Sequence, residues 1–244
     1  DTRWIQLAAD LTRAATSPEA LREAVAALAP PEELTPLIDA LATLAAAHEE
    51  SSAHFMHLAN TDDLTGLLNH RAFAPGVDTR LLLANKQAAL ANDAPGVHFR
   101  ATLLLFDIDN FKQYNDRYGH ATGDNILHSI AKLLQATTRT QDVLGRIGGD
   151  EFAVLFWDLR PREPSSTPLE EIDVIAERFR AAVECSSLPA LGSSGEGQLT
   201  ISGGLAVYPK DGATAAELLA SADKALAGAK AGGKNTMALI TNPT

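Results

Sequence analysis

At 244 residues, with 45% hydrophobic residues and a net charge of −11, the chain can bury one well-packed domain plus an accessory segment. That charge argues against non-specific binding to nucleic acid or acidic membranes, so an anionic ligand needs a local cationic pocket or a metal. One cysteine, Cys185, excludes an intramolecular disulfide, and the seven histidines lack a zinc-ligand pattern.

No apolar run approaches the roughly 20 residues that a membrane helix needs, and no signal peptide is visible. The chain starts at Asp1 and reads as a cytoplasmic fragment whose upstream sensor or membrane region is missing, itself making no membrane contact. Residues 1–60 read as an N-terminal helical segment for regulation or dimerisation. It has a helix start at Ser17-Pro18-Glu19 and a break at Pro30-Pro31. From Leu37, the positions Leu41, Leu44, His48, Ser51, Phe55 and Leu58 alternate by four and three. They form a heptad seam that either pairs two chains or packs on the short helices before it.

Thr61 to Asn69 breaks the helical pattern, and the second domain, 61–244, begins here. Arg71 to Ala91 reads as a helix and 92–96 as a loop. Ala101 to Phe106 is a buried strand that stops at Asp107. Gln113 to Asp116 opens a helix, Tyr118 to Asp124 is a loop, and 124–137 is a helix with Ile126, Leu127, Ile130, Leu133 and Leu134 at core spacing. Val143-Leu144 and Ala153 to Phe156 are strands around the Gly148-Gly149 turn. A Pro-rich loop follows from Trp157 to Pro168, then a helix over Leu169–Cys185 and a turn at 192–197. A strand from Leu199 to Val207, a helix over 214–231 and a short strand from Thr236 to Ile240 complete the pattern. A hairpin beside helix crossovers predicts an α+β fold: a ferredoxin-like, palm-type, mostly antiparallel sheet flanked by helices.

The hairpin carries Asp150 and Glu151 at its tip, and Asp107 ends another strand that the hairpin can bring alongside. Converging carboxylates repel unless a divalent cation bridges them. Hard oxygen donors favour Mg²⁺, with Mn²⁺ as the alternative. An EF-hand fails because Lys112 and Tyr118 stand where Gly and Glu are needed, and no P-loop pattern occurs. The turn Asp109-Asn110-Phe111-Lys112 can present backbone N–H groups to an anion at a helix start. Lys230 and Lys234, which bracket Gly232-Gly233, can neutralise phosphates or simply complement a helix C-terminus.

Gly148-Gly149-Asp150-Glu151-Phe152 also resembles the signature of the GGDEF-domain diguanylate cyclases. So do Asp62-x-Leu64-Thr65-Gly66-Leu67-x-Asn69, Phe106-Asp107-Ile108-Asp109-x-Phe111-Lys112-x-x-Asn115-Asp116 and Gly119-His120-x-x-Gly123-Asp124, all in the family's order. The resemblance runs from Asp62 to about Asn235. It implies condensation of two GTP molecules into cyclic di-GMP with release of two pyrophosphates across a homodimer, with no nucleic acid partner. It further implies Mg²⁺ held by Asp107, the Ile108 carbonyl and Asp150, with Asp150 or Glu151 assisting deprotonation of the 3′-hydroxyl. Asn110, Phe111, Lys112, Asn115, His120, Asp124, Gly148, Gly149, Lys230 and Lys234 are the substrate-binding candidates. A carboxylate at Asp124 accepts from guanine N1–H and N2–H together, a donor pair that adenine lacks, so GTP is expected over ATP. Arg139-Thr140-Gln141-Asp142 looks like the family's R-x-x-D inhibitory product site, with Arg178 as its further arginine. The alternative is a non-catalytic receptor for GTP or cyclic di-GMP using the same pocket. The sequence departs from the family at Gly203, Ala227 and Lys234, where an apolar strand residue, an aromatic and an arginine are usual.

Overall fold

The computed structural model describes residues 35–90, 101–157, 168–186 and 199–240. The expectations at Ser17-Pro18-Glu19, at Pro30-Pro31 and over 92–96, 158–167 and 192–197 lie outside these. The chain divides into two compact units, Asp1–Ala59 and Asn60–Thr244. In the first, α1 (Thr35–Asn60) is one continuous helix, and Leu44, Phe55 and Leu58 of the heptad seam are exposed along it. No described helix is long and apolar enough to cross a membrane.

The second unit is built on a five-stranded sheet of order β2-β3-β1-β4-β5: β1 (Ala101–Ile108), β2 (Val143–Arg146), β3 (Glu151–Trp157), β4 (Ile201–Tyr208) and β5 (Met237–Leu239). Neighbours are antiparallel except β4 and β5, which are parallel. Strands β1 to β4 thus give the ferredoxin-like arrangement expected, with a parallel strand added at one edge. The helices are α2 (His70–Leu90), α3 (Phe111–Tyr118), α4 (His120–Thr137), α5 (Pro168–Glu184) and α6 (Ala215–Ala231).

The period-2 alternation of β1 sorts the core into two layers. Leu104, Phe106 and Ile108 face α4 and α5, meeting Ile126, Ile130, Leu134 and Phe179. Leu103 and Leu105 face α2 and α6, meeting Phe73, Val77, Leu218 and Leu226. Both faces of β1 are covered, which is why it reads as an unbroken apolar run. Phe106 stacks on Phe152 at 5.4 Å and meets the edge of Phe179 at 5.0 Å, each pair adding about 0.5–1.5 kcal/mol beyond area burial.

Three local expectations are corrected. Strand β1 does not stop at Asp107 but runs through Ile108, pairing Asp107 with Glu151 on one side and Ser202 on the other. Tyr118 to Asp124 is not a loop. Gly119 alone, at φ 85°, turns the chain, and α4 starts at His120. Strand β4 begins at Ile201 rather than Leu199.

Candidate active site

Asp107 is an odd-numbered residue of β1, so its side chain lies on the α6 face, where Lys230 Nζ stands 3.0 Å from Oδ2. Its register partner is Glu151, and the Ile108 amide donates to the Asp150 carbonyl at 3.2 Å. The hairpin thus brings Asp150 and Glu151 to the end of β1, as the sequence predicted. Burial pushes the Asp107 carboxyl above the usual carboxylate range. The Lys230 hydrogen bond and charge pull it back, and the neighbouring Asp150 and Glu151 charges push it up again. Three carboxylates with one lysine among them are a donor set that a divalent cation would neutralise. Among the described residues, no group of three or more His, Cys, Asp or Glu side chains converges on a single metal position. A cation here would take two carboxylates and complete its shell with backbone or other oxygens.

The turn between β2 and β3 closes through Glu151, whose carbonyl accepts from the Ile147 and Gly148 amides at 2.8 and 3.3 Å. Neither Gly148 nor Gly149 needs a left-handed backbone, contrary to ordinary glycine-turn logic. Glu151 folds over Gly148 instead: a Cβ there would stand 2.6 Å from Glu151 Oε2, so a side chain at 148 would push that carboxylate aside. Arg146 locks the turn from outside. Its Nη2 donates to the Gly149 carbonyl at 2.7 Å, and its Nη1 reaches both oxygens of Asp62 at 3.0 and 3.1 Å. Asp62 also accepts from the Thr65 amide and hydroxyl. Burial pushes its carboxyl up, but the bonds from Thr65 and Arg146 outweigh that and hold it below the usual value. Sequence reasoning took Asp62 only as a motif position and missed Arg146, because the two lie 84 residues apart.

Beyond β1, Asn110 sits at φ 58° as the residue before α3 and places Phe111 and Lys112 in the first helical turn. Lys234 comes back to this turn from beyond α6 and donates to Asn110 Oδ1 at 2.6 Å. Both lysines therefore reach the corner where β1 meets the hairpin and α3, though Lys230 is engaged by Asp107 rather than open to solvent anions. At the α3–α4 junction, Asn115 Oδ1 is buried without a hydrogen-bond partner among the described residues. It points at Gly123, where any Cβ would collide with it. Asp124, one residue further along α4, and His120, at its start, are both exposed. The junction thus carries a buried acceptor at Asn115 and an exposed carboxylate at Asp124.

The family model described as "Diguanylate cyclase, GGDEF domain" matches residues 59–236. The chain belongs to the GGDEF-domain family. Diguanylate cyclase TpbB of Pseudomonas aeruginosa is 36% identical over 214 residues, covering 87% of this chain and 45% of that protein. Response regulator PleD of Caulobacter vibrioides is 35% identical over 184 residues, covering 75% of this chain and 37% of its own. The chain thus spans less than half the length of these relatives. The coiled coil and GGDEF domain of DgcB from Caulobacter crescentus, solved with c-di-GMP, superposes with a TM-score of 0.67 at 25% identity over 86% of this chain and 100% of that one. The GGDEF domain of DgcB alone, also with c-di-GMP, gives 0.58 at 27% identity over 74% and 95%.

Within this GGDEF domain, Arg139 and Asp142 form a closed turn after α4: the Arg139 amide donates to Asp142 Oδ2 at 2.8 Å and the Asp142 amide to the Arg139 carbonyl at 3.0 Å. Part of the Asp142 carboxylate is thereby used to shape its own turn. Arg178 is exposed on α5. The departures are accommodated. Gly203 pairs with Met237, whose Sδ fills the space that a side chain at 203 would take, along with Leu104 and Phe106. Ala227 lies exposed on α6, so no core contact depends on it. Lys234 keeps the cation of the usual arginine while giving up its bidentate fork.

Proposed function

We propose that the chain is a diguanylate cyclase, condensing two GTP molecules into cyclic di-GMP and two pyrophosphates between two copies of the domain. The single observation that carries this is the meeting of Asp107 with the Asp150–Glu151 hairpin beside Lys230, on a chain of this family. Asp107, Asp150 and the Ile108 carbonyl would hold Mg²⁺ or Mn²⁺. When bound, the cation supplies charge neutralisation at a triphosphate. The chain's own residues do the rest. Asn110, Phe111 and Lys112 cradle phosphate oxygens at the start of α3, with Gly148 and Gly149 lining the other side and Lys234 closing from the α6 end. Asn115 and Asp124 fix the guanine, with His120 at the helix start. Asp150 or Glu151 takes the proton of the 3′-hydroxyl as it attacks the α-phosphate of the GTP held by the other domain.

Each domain offers one such site, so two must face each other, and the exposed Leu44, Phe55 and Leu58 of α1 supply an apolar seam for pairing. Residues 1–60 serve this pairing and its regulation, 61–244 the chemistry. Product would bind the Arg139–Asp142 turn with Arg178 and inhibit, arginine forks suiting phosphate and guanine edges.

The test is cyclic di-GMP formation from GTP and Mg²⁺, with Asp150→Ala as control. Product should rise faster than linearly with protein concentration while dimers are scarce, and fall at least about 100-fold in the variant. A wild-type chain that binds GTP, dimerises and yields no product would instead be a receptor using the same pocket.

A further inference from the structure

Three consecutive residues between α6 and β5 have left-handed backbones: Gly233 at φ 121°, Lys234 at 67° and Asn235 at 49°. For Lys234 and Asn235 this conformation is held against a steric penalty, so something must fix it. Part of the hold is backbone, the Lys234 amide donating to the Ala229 carbonyl at 3.1 Å, and the side-chain bonds from α5 and β1 run through Asn235. Its Oδ1 accepts from Arg180 Nη1 at 2.6 Å, its Nδ2 donates to Glu184 Oε1 at 3.1 Å, and its amide donates to Asp109 Oδ2 at 3.1 Å.

Each anchor is itself fixed. Arg180 is clasped by Glu177 at 2.6 Å and by Glu184 at 2.7 Å. Asp109 is buried at 3% exposure and accepts further bonds from Thr200 Oγ1 at 2.8 Å and Ser202 Oγ at 2.7 Å. Asp109 also immediately precedes Asn110, the residue that receives Lys234 Nζ. Lysine carries a compact charge on a flexible stem, so a fixed backbone at one end and the Nζ bond to Asn110 at the other together limit where that charge lies.

We propose that Asn235 is a positioning residue that holds Lys234 at the phosphate end of the site, braced from α5 by Arg180 and Glu184 and from β1 by Asp109. If the site takes a nucleoside triphosphate, as argued above, the brace acts on the terminal phosphates and not on the base. None of the four residues touches substrate; each acts through Lys234.

The test compares GTP and GMP binding in the presence of Mg²⁺, by calorimetry, for the wild-type chain, Asn235→Gly, Lys234→Ala and the double variant. Glycine is chosen because it enters the left-handed region freely, so loss of the side chain is not confounded with backbone strain. Asn235→Gly should weaken GTP about tenfold while leaving GMP within about twofold, and the double variant should bind GTP no worse than Lys234→Ala alone. Equal losses for GTP and GMP, or additive losses in the double variant, would make Asn235 merely structural and overturn the proposal. Glu184→Ala leaves the sequence of 233–235 unchanged while removing one of its anchors, and guards against a misfolded Asn235→Gly. It should weaken GTP about threefold with GMP unchanged, and an unchanged GTP affinity overturns the proposal. A wild-type chain that binds no GTP overturns both this inference and the nucleotide site. One that binds GTP while Asn235→Gly matches it overturns this inference alone.

Discussion

At the acidic corner Asp107 is paired with Lys230 and Lys234 with Asn110, whereas at the α3–α4 junction the buried Oδ1 of Asn115 has no partner among the described residues. The two ends of the proposed nucleotide site thus meet a ligand on different terms. A triphosphate with its cation must displace or share contacts the protein already makes, so its net gain is a difference between two sets of ion pairs. A base that donates to Asn115 satisfies an acceptor already stripped of water, and such an atom is worth about 1–3 kcal/mol when left unmade. Affinity for the base end should therefore be sensitive to single atoms, and affinity for the phosphate end to the cation.

The largest effect should come from breaking the acidic corner. Asp107→Asn keeps the side chain's size but removes the charge that a cation needs, so product formation should fall at least about 100-fold while the melting transition stays cooperative. A loss under tenfold would mean that Asp107 is only a structural partner of Lys230.

At the other end, Asn115→Ala should weaken GTP about tenfold and narrow its preference over ATP, yet leave the protein no less stable, since the deleted group is an unpaired buried acceptor. Thermal melting and competition binding on one sample check both halves. A large loss of stability would show that Asn115 has a partner in the apo protein.

The Asp62–Arg146 clamp gives a smaller effect, on stability rather than binding. Asp62→Ala leaves Arg146 without its carboxylate partner next to Gly149 and should cost about 1–3 kcal/mol by denaturant titration. The pH dependence has a definite sign. The folded-state carboxyl of Asp62 is held below its ordinary value, so its stabilisation is complete above the unfolded carboxyl's titration and disappears as pH falls through the folded one. Below about pH 4, wild-type stability should drop more steeply than that of Asp62→Asn. The smallest effect belongs to Ala227→Tyr, which restores the family's aromatic at an exposed position of α6 and should shift stability by less than about 0.5 kcal/mol.

How much of this was legible in the chain follows from how local each feature is. The hairpin and the buried strand were read correctly because β1 is covered on both faces and β3 returns after a short turn. The α3–α4 junction was misread as a loop because Gly119, His120, Thr122 and Gly123 look like turn chemistry. In fact one left-handed glycine makes the bend, and Gly123 is a helical residue at which Asn115 leaves no room for a side chain. Features built from distant residues left no local signal. Arg146 finds Asp62 across 84 positions, and Asn235 joins Arg180 across 55 and Asp109 across 126. Gly203 looked like a defect in a strand until Met237, from the neighbouring parallel strand, was found to fill its place.

The most direct test of the cation-bridged acidic corner is GTP affinity measured with Mg²⁺ and again in excess EDTA, for the wild-type chain and for Asp107→Asn. Mg²⁺ should tighten GTP at least about tenfold in the wild type and have little effect in the variant. Equal GTP affinity in EDTA and in Mg²⁺ for the wild-type chain would contradict it.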